Sequence, residues 1–287
     1  MVTINPNAKI SGPIYRHYKK KEDQYGDRLL KILLKEADAK AKRYLKEGNI
    51  QAYNAFLILA LTVPNQEGLM VHFREVNANK SYCRDKRTLG KTIISKRARS
   101  QFQKTLAWKS KFLMPCYKLP RSSTYRQLIA GGSDGSDVGI MQLSSLWHYE
   151  DFLKPGKYAS VEETVRYGVG YIFSDYNRNL MKPKSCILKL NRKVNYHSLI
   201  RGSWSAYNGG PSKFCRFANP YSDHVKKDKG FNASIDKTLS FSQSKLFGFS
   251  QDGKLPLTKK AENALLEVIS NYKIGRLNRR AFNTFMQ

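Results

Sequence analysis

Apolar residues at three- and four-residue spacing dominate the chain and predict helices. From Asp27 to Lys46 they recur at this spacing between charged residues, which indicates an amphipathic helix that ends near Gly48. From Ile50 to Thr62 nearly every position is apolar, so this segment predicts a helix buried on all sides. Further helices are predicted over Val161 to Asn177, over His197 to Tyr207 and, as one or two basic helices, over Lys254 to Met286.

The stretch after the apolar helix has weaker signals. Pro64 to Glu67 is typical of a turn that leads into a new helix, and Gly68 to Val76 then predicts a short helix that ends near Asn77. In this interpretation Glu67 is a favourable anion at a helix N-terminus. Alternating strand patterns are few, so the predicted fold class is mainly α.

The predicted organisation is one α-rich domain with additions. A helical extension covers residues 1–49, and the central domain covers residues 50–225. The basic, irregular residues 86–124 are a predicted insertion in that domain. A basic extension covers residues 226–287.

The charge of the chain points to an anionic partner. Lys and Arg number 51 and Asp and Glu number 22, giving a net charge of +29, while 41% hydrophobic residues can form a core. Nucleic acid, anionic lipid and anionic cell-wall polymer all fit this charge. No RNA-binding aromatic motif, zinc finger or phosphate loop is present, so no nucleic acid is expected. The longest apolar run, Ala55 to Val63, is well short of the roughly 20 residues that cross a bilayer.

Four cysteines suit an oxidising compartment. They allow three pairings, of which sequence order favours Cys83 with Cys116 and Cys186 with Cys215. No CxxC or CxxH pair is present to anchor a zinc ion, so no metal and no cofactor are expected. The N-terminus carries no apolar signal segment. We therefore predict a secreted or periplasmic bacterial protein, seen without its signal peptide.

Two segments carry candidate chemistry. The first, GGSDGSDVGIMQLSS from Gly131 to Ser145, is a Gly-, Ser- and Asp-rich loop that runs into an apolar turn. The second, SWSAYNGGPSK from Ser203 to Lys213, is a helix end stopped by Gly-Gly-Pro. In this order and spacing they resemble the GLMQ and AYNAGP motifs of the lysozyme-like superfamily, which includes soluble lytic transglycosylases and goose-type lysozymes. SVEETVRYGVGYI, from Ser160 to Ile172, resembles the family helix between them.

The resemblance implies a lysozyme-like catalytic domain with one catalytic acid, in most members a Glu at the end of an apolar helix upstream of GLMQ. No Glu directly precedes Gly139, and Glu75 is the candidate that this reading selects. On the predicted helix its neighbours three and four residues back are His72 and Val71, an apolar strip that would favour a protonated carboxyl. The predicted insertion then accounts for the long spacing from Glu75 to Gly139.

The same resemblance implies further site residues. Tyr207 resembles the family tyrosine that steadies the acid, and Asn208 lies where the family contacts substrate. Met141, Gln142 and Ser144 resemble residues that line the substrate groove. For Tyr207 and Met141, core packing is the alternative.

The implied reaction is cleavage of the β-1,4 bond between N-acetylmuramic acid and N-acetylglucosamine in peptidoglycan strands. Hydrolysis, as in a lysozyme, requires a carboxylate that holds a water, and Asp134 and Asp137 are the candidates, with loop chemistry as their alternative. A lytic transglycosylase would instead form 1,6-anhydro ends. The sequence slightly favours hydrolysis; an inactive cell-wall-binding protein is the third reading. Anionic wall polymers are possible additional partners of the basic surface.

Overall fold

The computed structural model describes residues 11–16, 24–68, 70–77, 125–129, 137–144, 147–241, 248–249, 253–254 and 256–287. The chain forms two compact units. The first comprises Met1–Tyr25 and Glu67–Tyr167, and the second comprises Gly26–Gln66 and Gly168–Gln287. The predicted boundaries at residues 49 and 225 stay a prediction.

The fold is mainly helical, which confirms the predicted class. The helices are α1 (Tyr25–Lys46), α2 (Ile50–Gly68), α3 (Val161–Met181), α4 (Tyr196–Gly209), α5 (Val225–Leu239), α6 (Lys259–Ile274) and α7 (Arg280–Met286). Periodicity therefore located α1, α3 and α4, and the two basic terminal helices are α6 and α7. Among the described residues, no helix is both long enough and apolar enough to cross a bilayer.

Helix α2 differs from the prediction at its C-terminal end. It continues through Pro64 to Gly68, so the turn predicted at Pro64 is wrong. Pro64 and most of the helix are buried, and packing overrides the local break signal of the proline. Glu67 consequently lies in the last turn of α2, and its predicted place at a helix N-terminus is wrong as well.

The predicted short helix from Gly68 to Val76 is also wrong, because part of it is a strand. Strand β2 (Phe73–Asn77) lies between β1 (Ile14–Arg16), to which it is parallel, and β3 (Tyr125–Ile129), to which it is antiparallel. Glu75 occupies the middle of this central strand, opposite Arg16 and Gln127 in register. The apolar helical strip proposed for it does not exist.

The first unit also contains the hairpin of β4 (Asp137–Val138) and β5 (Leu143–Ser144), followed by a π-helical turn at Tyr149–Leu153 and a 3-10 turn at Lys157–Ala159. The N-terminal segment is tied to this region, since the Ser11 amide donates to the Ala159 carbonyl and the Val161 amide donates to the Ser11 carbonyl. These contacts attach the N-terminal segment to the 3-10 turn and to the start of α3.

The second unit has an aromatic centre. Tyr44, Phe56, Phe173 and Tyr176 from α1, α2 and α3 form a chain of ring contacts 5.0 to 6.1 Å between centroids. The Asn54 side chain donates to the carbonyls of Asn271 and Arg276, which attaches the α6 end to α2. A short hairpin of β6 (Gly248–Phe249) and β7 (Gly253–Lys254) lies between α5 and α6.

A disulfide joins Cys186 to Cys215, as the sequence predicted. It links the 3-10 turn at Ser185–Ile187 to the 3-10 segment at Pro211–Ala218. Cys83 and Cys116, and the predicted insertion of residues 86–124, lie outside the described residues.

Candidate functional site

The apolar turn of the first motif, residues 139–142, is a tight bend between β4 and β5. We call it the GIMQ turn. Gly139 has a φ of 73° and Gln142 a φ of 46°, both in the left-handed region. The Gln142 backbone amide donates to the Gly139 carbonyl at 2.9 Å, and its side-chain nitrogen donates to the same oxygen at 2.6 Å. The Gln142 side chain therefore braces its own turn.

A buried histidine fixes this turn from behind. The Ile140 amide donates to Nδ1 of His72 at 3.1 Å, which leaves Nε2 protonated and able to donate to the Tyr158 carbonyl at 2.9 Å. His72 is completely buried, and this desolvation lowers its pKa to about 4. A β-carbon on Gly139 would lie 2.4 Å from the imidazole ring, so the close approach requires glycine.

The end of α2 packs directly against the GIMQ turn. A β-carbon on Gly68 would lie 2.2 Å from the Ile140 carbonyl oxygen and 2.7 Å from its Cα, so the two backbones are in contact. Glu67 immediately precedes Gly68 and is half-buried. The sequence resemblance implies an acidic residue at the end of an apolar helix upstream of the GIMQ turn, and Glu67 at the end of α2 has such a position.

The other predicted site residues of the first unit occupy different elements. Asp137 and Ser144 face each other in register across the hairpin and are both half-buried. Met141 is fully buried. Glu75 lies on β2, two strand positions after Phe73. Asp134 lies outside the described residues.

In the second unit, the second motif ends α4 as predicted. The Gly210 amide donates to the Ala206 carbonyl at 2.7 Å, and Gly210 has a φ of 90°, which terminates the helix before Pro211. The half-buried Tyr207 packs edge-on against Tyr171 of α3, with 5.7 Å between ring centroids. We call residues 207–210 the YNGG segment.

A buried ion pair lies behind the YNGG segment. Arg216 donates from Nε to one carboxylate oxygen of Asp228 at 2.9 Å and from Nη2 to the other at 3.1 Å. Ser205 also donates to Asp228, at 2.7 Å. The Arg216 guanidinium lies 5.6 Å from the ring centroid of Trp204, which stacks on Phe231. Both members of the pair are buried, so their charges depend on each other.

This ion pair also sets the orientation of Asn208. Nη2 of Arg216 donates to Oδ1 of Asn208 at 3.2 Å. Because a guanidinium can only donate, it selects the amide oxygen and turns the Asn208 NH₂ group away. Asn208 is exposed, so this NH₂ is presented at the surface. A β-carbon on Gly209 would lie 2.7 Å from Nη1 of Arg216, which makes glycine part of the same arrangement.

Sequence reasoning missed three residues that the structure brings to these motifs. Glu67 has a signal in the Glu-Gly pair that follows the apolar run, which the break predicted at Pro64 obscures. His72 has a weaker signal, because it is a single histidine between apolar residues. Arg216 had no local signal, because its partner Asp228 lies on the next helix, α5.

The described residues contain no group of three or more His, Cys, Asp or Glu side chains arranged to hold a metal ion. In comparisons with known proteins, no family model, no curated protein and no solved structure matches the chain.

Proposed function

We propose that this chain cleaves the β-1,4 bond between N-acetylmuramic acid and N-acetylglucosamine in peptidoglycan, with Glu67 as the general acid. The observation that carries the proposal is the contact of Gly68 with the Ile140 carbonyl. In this contact the residue directly after Glu67, at the end of a buried helix, lies against the GIMQ turn. The resemblance of the two motifs to the lysozyme-like superfamily supports the same activity.

The position of Glu67 suits proton donation. Negative charge is disfavoured at the C-terminal end of a helix, where the carbonyl dipoles point outward. As the general acid, Glu67 would donate its proton to the leaving glycosidic oxygen. The resulting carboxylate can then accept a proton from the C6 hydroxyl of the muramic acid residue as that oxygen attacks C1, giving a 1,6-anhydro end. Hydrolysis instead needs a second carboxylate that accepts a proton from the attacking water.

We favour hydrolysis on account of Asp137. This half-buried residue begins the β4–β5 hairpin that contains the GIMQ turn, in the same unit as Glu67. An inverting glycosidase needs a second carboxylate to hold the attacking water. Without such a carboxylate the same acid would act as a lytic transglycosylase, which stays the alternative.

The second motif supplies the proposed substrate contacts. Asn208 offers an exposed NH₂ donor with its oxygen already bound to Arg216, which suits an acceptor oxygen of the glycan. The motif resemblance implies that Tyr207 corresponds to the family tyrosine that steadies the acid. The net charge of +29 favours anionic wall material, and the Cys186–Cys215 disulfide suits a protein that acts outside the cytoplasm.

Mass spectrometry of the fragments released from purified peptidoglycan tests this function. Fragments with reducing N-acetylmuramic acid ends would support the hydrolase, and 1,6-anhydro ends would establish the transglycosylase and remove the role of Asp137. Absence of any fragment, with the protein still sedimenting with the wall, would contradict the enzymatic proposal and favour an inactive wall-binding protein. De-N-acetylated peptidoglycan, run in parallel, reports whether the acetamido groups are required.

A further inference from the structure

The connection between α3 and α4 is a strongly cationic hairpin. We call residues 182–195 the cationic hairpin. It contains no Asp or Glu. Its positively charged side chains are all exposed, and they are Lys182, Lys184, Lys189, Arg192 and Lys193. Such a concentration of like charge is unfavourable without an anionic partner.

The cationic hairpin is held rigidly. The Lys189 amide donates to the Lys193 carbonyl at 2.9 Å, and the Arg192 amide donates to the Lys189 carbonyl at 2.8 Å, which closes the tip. Leu188 and Val194 form a β-bridge below it. The Cys186–Cys215 disulfide fixes the base. Because the hairpin is already ordered, binding a partner costs little conformational entropy.

The tip of the hairpin presents an apolar side chain. Leu190 has a relative exposure of 109%, the highest among the exposed large hydrophobic residues of the described chain. It lies between Lys189 and Arg192, whose charges keep the surrounding surface polar. A soluble polyanion would use the cations and leave Leu190 in water. An anionic bilayer offers phosphate groups for the cations and, just beneath them, an apolar boundary for the leucine.

We propose that the cationic hairpin docks on the surface of an anionic lipid bilayer, with Leu190 inserted at the boundary of the acyl chains and Lys189, Arg192 and Lys193 on the headgroup phosphates. This inference does not depend on the proposed enzymatic activity. It predicts peripheral attachment that salt weakens, since the lipid surface potential is screened within a Debye length.

Sedimentation of the full chain with lipid vesicles tests the proposal. The protein should bind vesicles of phosphatidylcholine mixed with phosphatidylglycerol and leave vesicles of phosphatidylcholine alone. Leu190→Ser should weaken binding by about tenfold without changing its salt dependence. Replacing Lys189, Arg192 and Lys193 by Gln should weaken it by on the order of fivefold per cation and flatten the salt dependence. Tryptophan introduced as Leu190→Trp should be quenched by brominated acyl chains more than the native tryptophans are.

The end of α6 and the turn after it provide a matched control. Ile274, the last residue of α6, and Leu277 in the turn are exposed at 59% and 39%, beside the exposed cations Lys273 and Arg276. Ile274→Ser should leave vesicle binding unchanged. Thermal unfolding of each variant establishes that it is folded. Three results would overturn the proposal: no effect of Leu190→Ser, an equal loss with Ile274→Ser, or binding to soluble polyphosphate as tight as binding to the anionic vesicles.

Discussion

A buried side chain hydrogen-bonds to the GIMQ turn and another to the YNGG segment. The first of these supporting side chains is neutral and the second is charged. His72 supports the GIMQ turn as a neutral ring that accepts one backbone hydrogen bond and donates another. Arg216 supports the YNGG segment as a charged group whose charge is balanced by Asp228. In each case a glycine, Gly139 or Gly209, allows the supporting side chain to approach the backbone.

The two supports depend on different conditions. His72 can accept the Ile140 hydrogen bond only while Nδ1 is unprotonated, so low pH should destabilise this support. A buried ion pair works only while both partners are present, because an uncompensated buried charge is far more costly than an intact pair. Variants of the two supports should therefore respond to different perturbations.

The largest expected effect comes from removing one partner of the ion pair. Asp228→Ala leaves the Arg216 guanidinium buried without its counter-charge and should lower the free energy of unfolding by about 3–5 kcal/mol in urea denaturation. Glu150→Ala is the matched control, since it removes the exposed pair of Glu150 with Lys154 and should lower the free energy of unfolding far less. Equal losses in the two variants would show that the buried pair does not support this region.

Acid should act on the other support. The unfolded His72 takes up a proton below pH about 6.5, whereas the folded one, with a pKa of about 4, does not. The free energy of unfolding should therefore fall between pH 6.5 and pH 4, by up to about 3 kcal/mol from this group. His72→Asn should remove that part of the slope, and His224→Asn at the exposed His224 is the control. A slope identical in the wild type and His72→Asn would contradict a neutral buried His72.

The glycine behind the GIMQ turn should tolerate no side chain. Gly139→Ala adds a β-carbon against the His72 ring at a left-handed φ, and should cost about 2–3 kcal/mol in thermal or urea unfolding. Gly230→Ala is the control, because Gly230 lies inside α5 with open space at its β-carbon. That change should be neutral or stabilise by up to about 1 kcal/mol. A neutral Gly139→Ala would mean that the turn is not held against His72.

The smallest expected effect is on substrate affinity at Asn208. Asn208→Asp keeps an oxygen for Arg216 but removes the exposed NH₂ donor, so KM for peptidoglycan should rise by up to about tenfold with the melting temperature unchanged. Asn219→Asp is the control, since Asn219 is also exposed and its oxygen accepts from the Tyr221 amide. An equal rise in KM for both variants would reflect added negative charge on the surface, and no rise for Asn208→Asp would remove its proposed substrate contact.

Local patterns predicted most of the helices because the helical period depends on residues only three or four positions apart. Such signals predicted α1 from Asp27 to its end at Lys46, the start of α2 at Ile50 and the Gly210 stop after α4. Strand β2 could not be found in this way, because its neighbours β1 and β3 lie far from it in sequence and non-local pairing decides its conformation. The helical strip predicted around Glu75 was wrong for this reason, whereas the catalytic role of Glu75 stays a prediction.

The sequence predicted the two motifs of the candidate site but not the buried side chains that support them. Gly139 and Gly210 were recognisable as turn positions from sequence alone, and both have positive φ values. The Arg216–Asp228 pair depends on the packing of the Pro211–Ala218 segment against α5, which no short pattern encodes. His72 follows α2, and its hydrogen-bond partner Ile140 lies in the turn after β4. The sequence between these two residues has no regular pattern from which the contact could be predicted.

The most direct test of the account compares two isosteric variants, Glu67→Gln and Glu75→Gln, in initial rates of fragment release from purified peptidoglycan. Glu162→Gln, at an exposed residue in the first turn of α3, is the control. If Glu67 is the general acid, Glu67→Gln should lose at least about a hundredfold in rate, while the other two variants keep nearly full rate. Full activity of Glu67→Gln, or the hundredfold loss in Glu75→Gln instead, would contradict the central assignment.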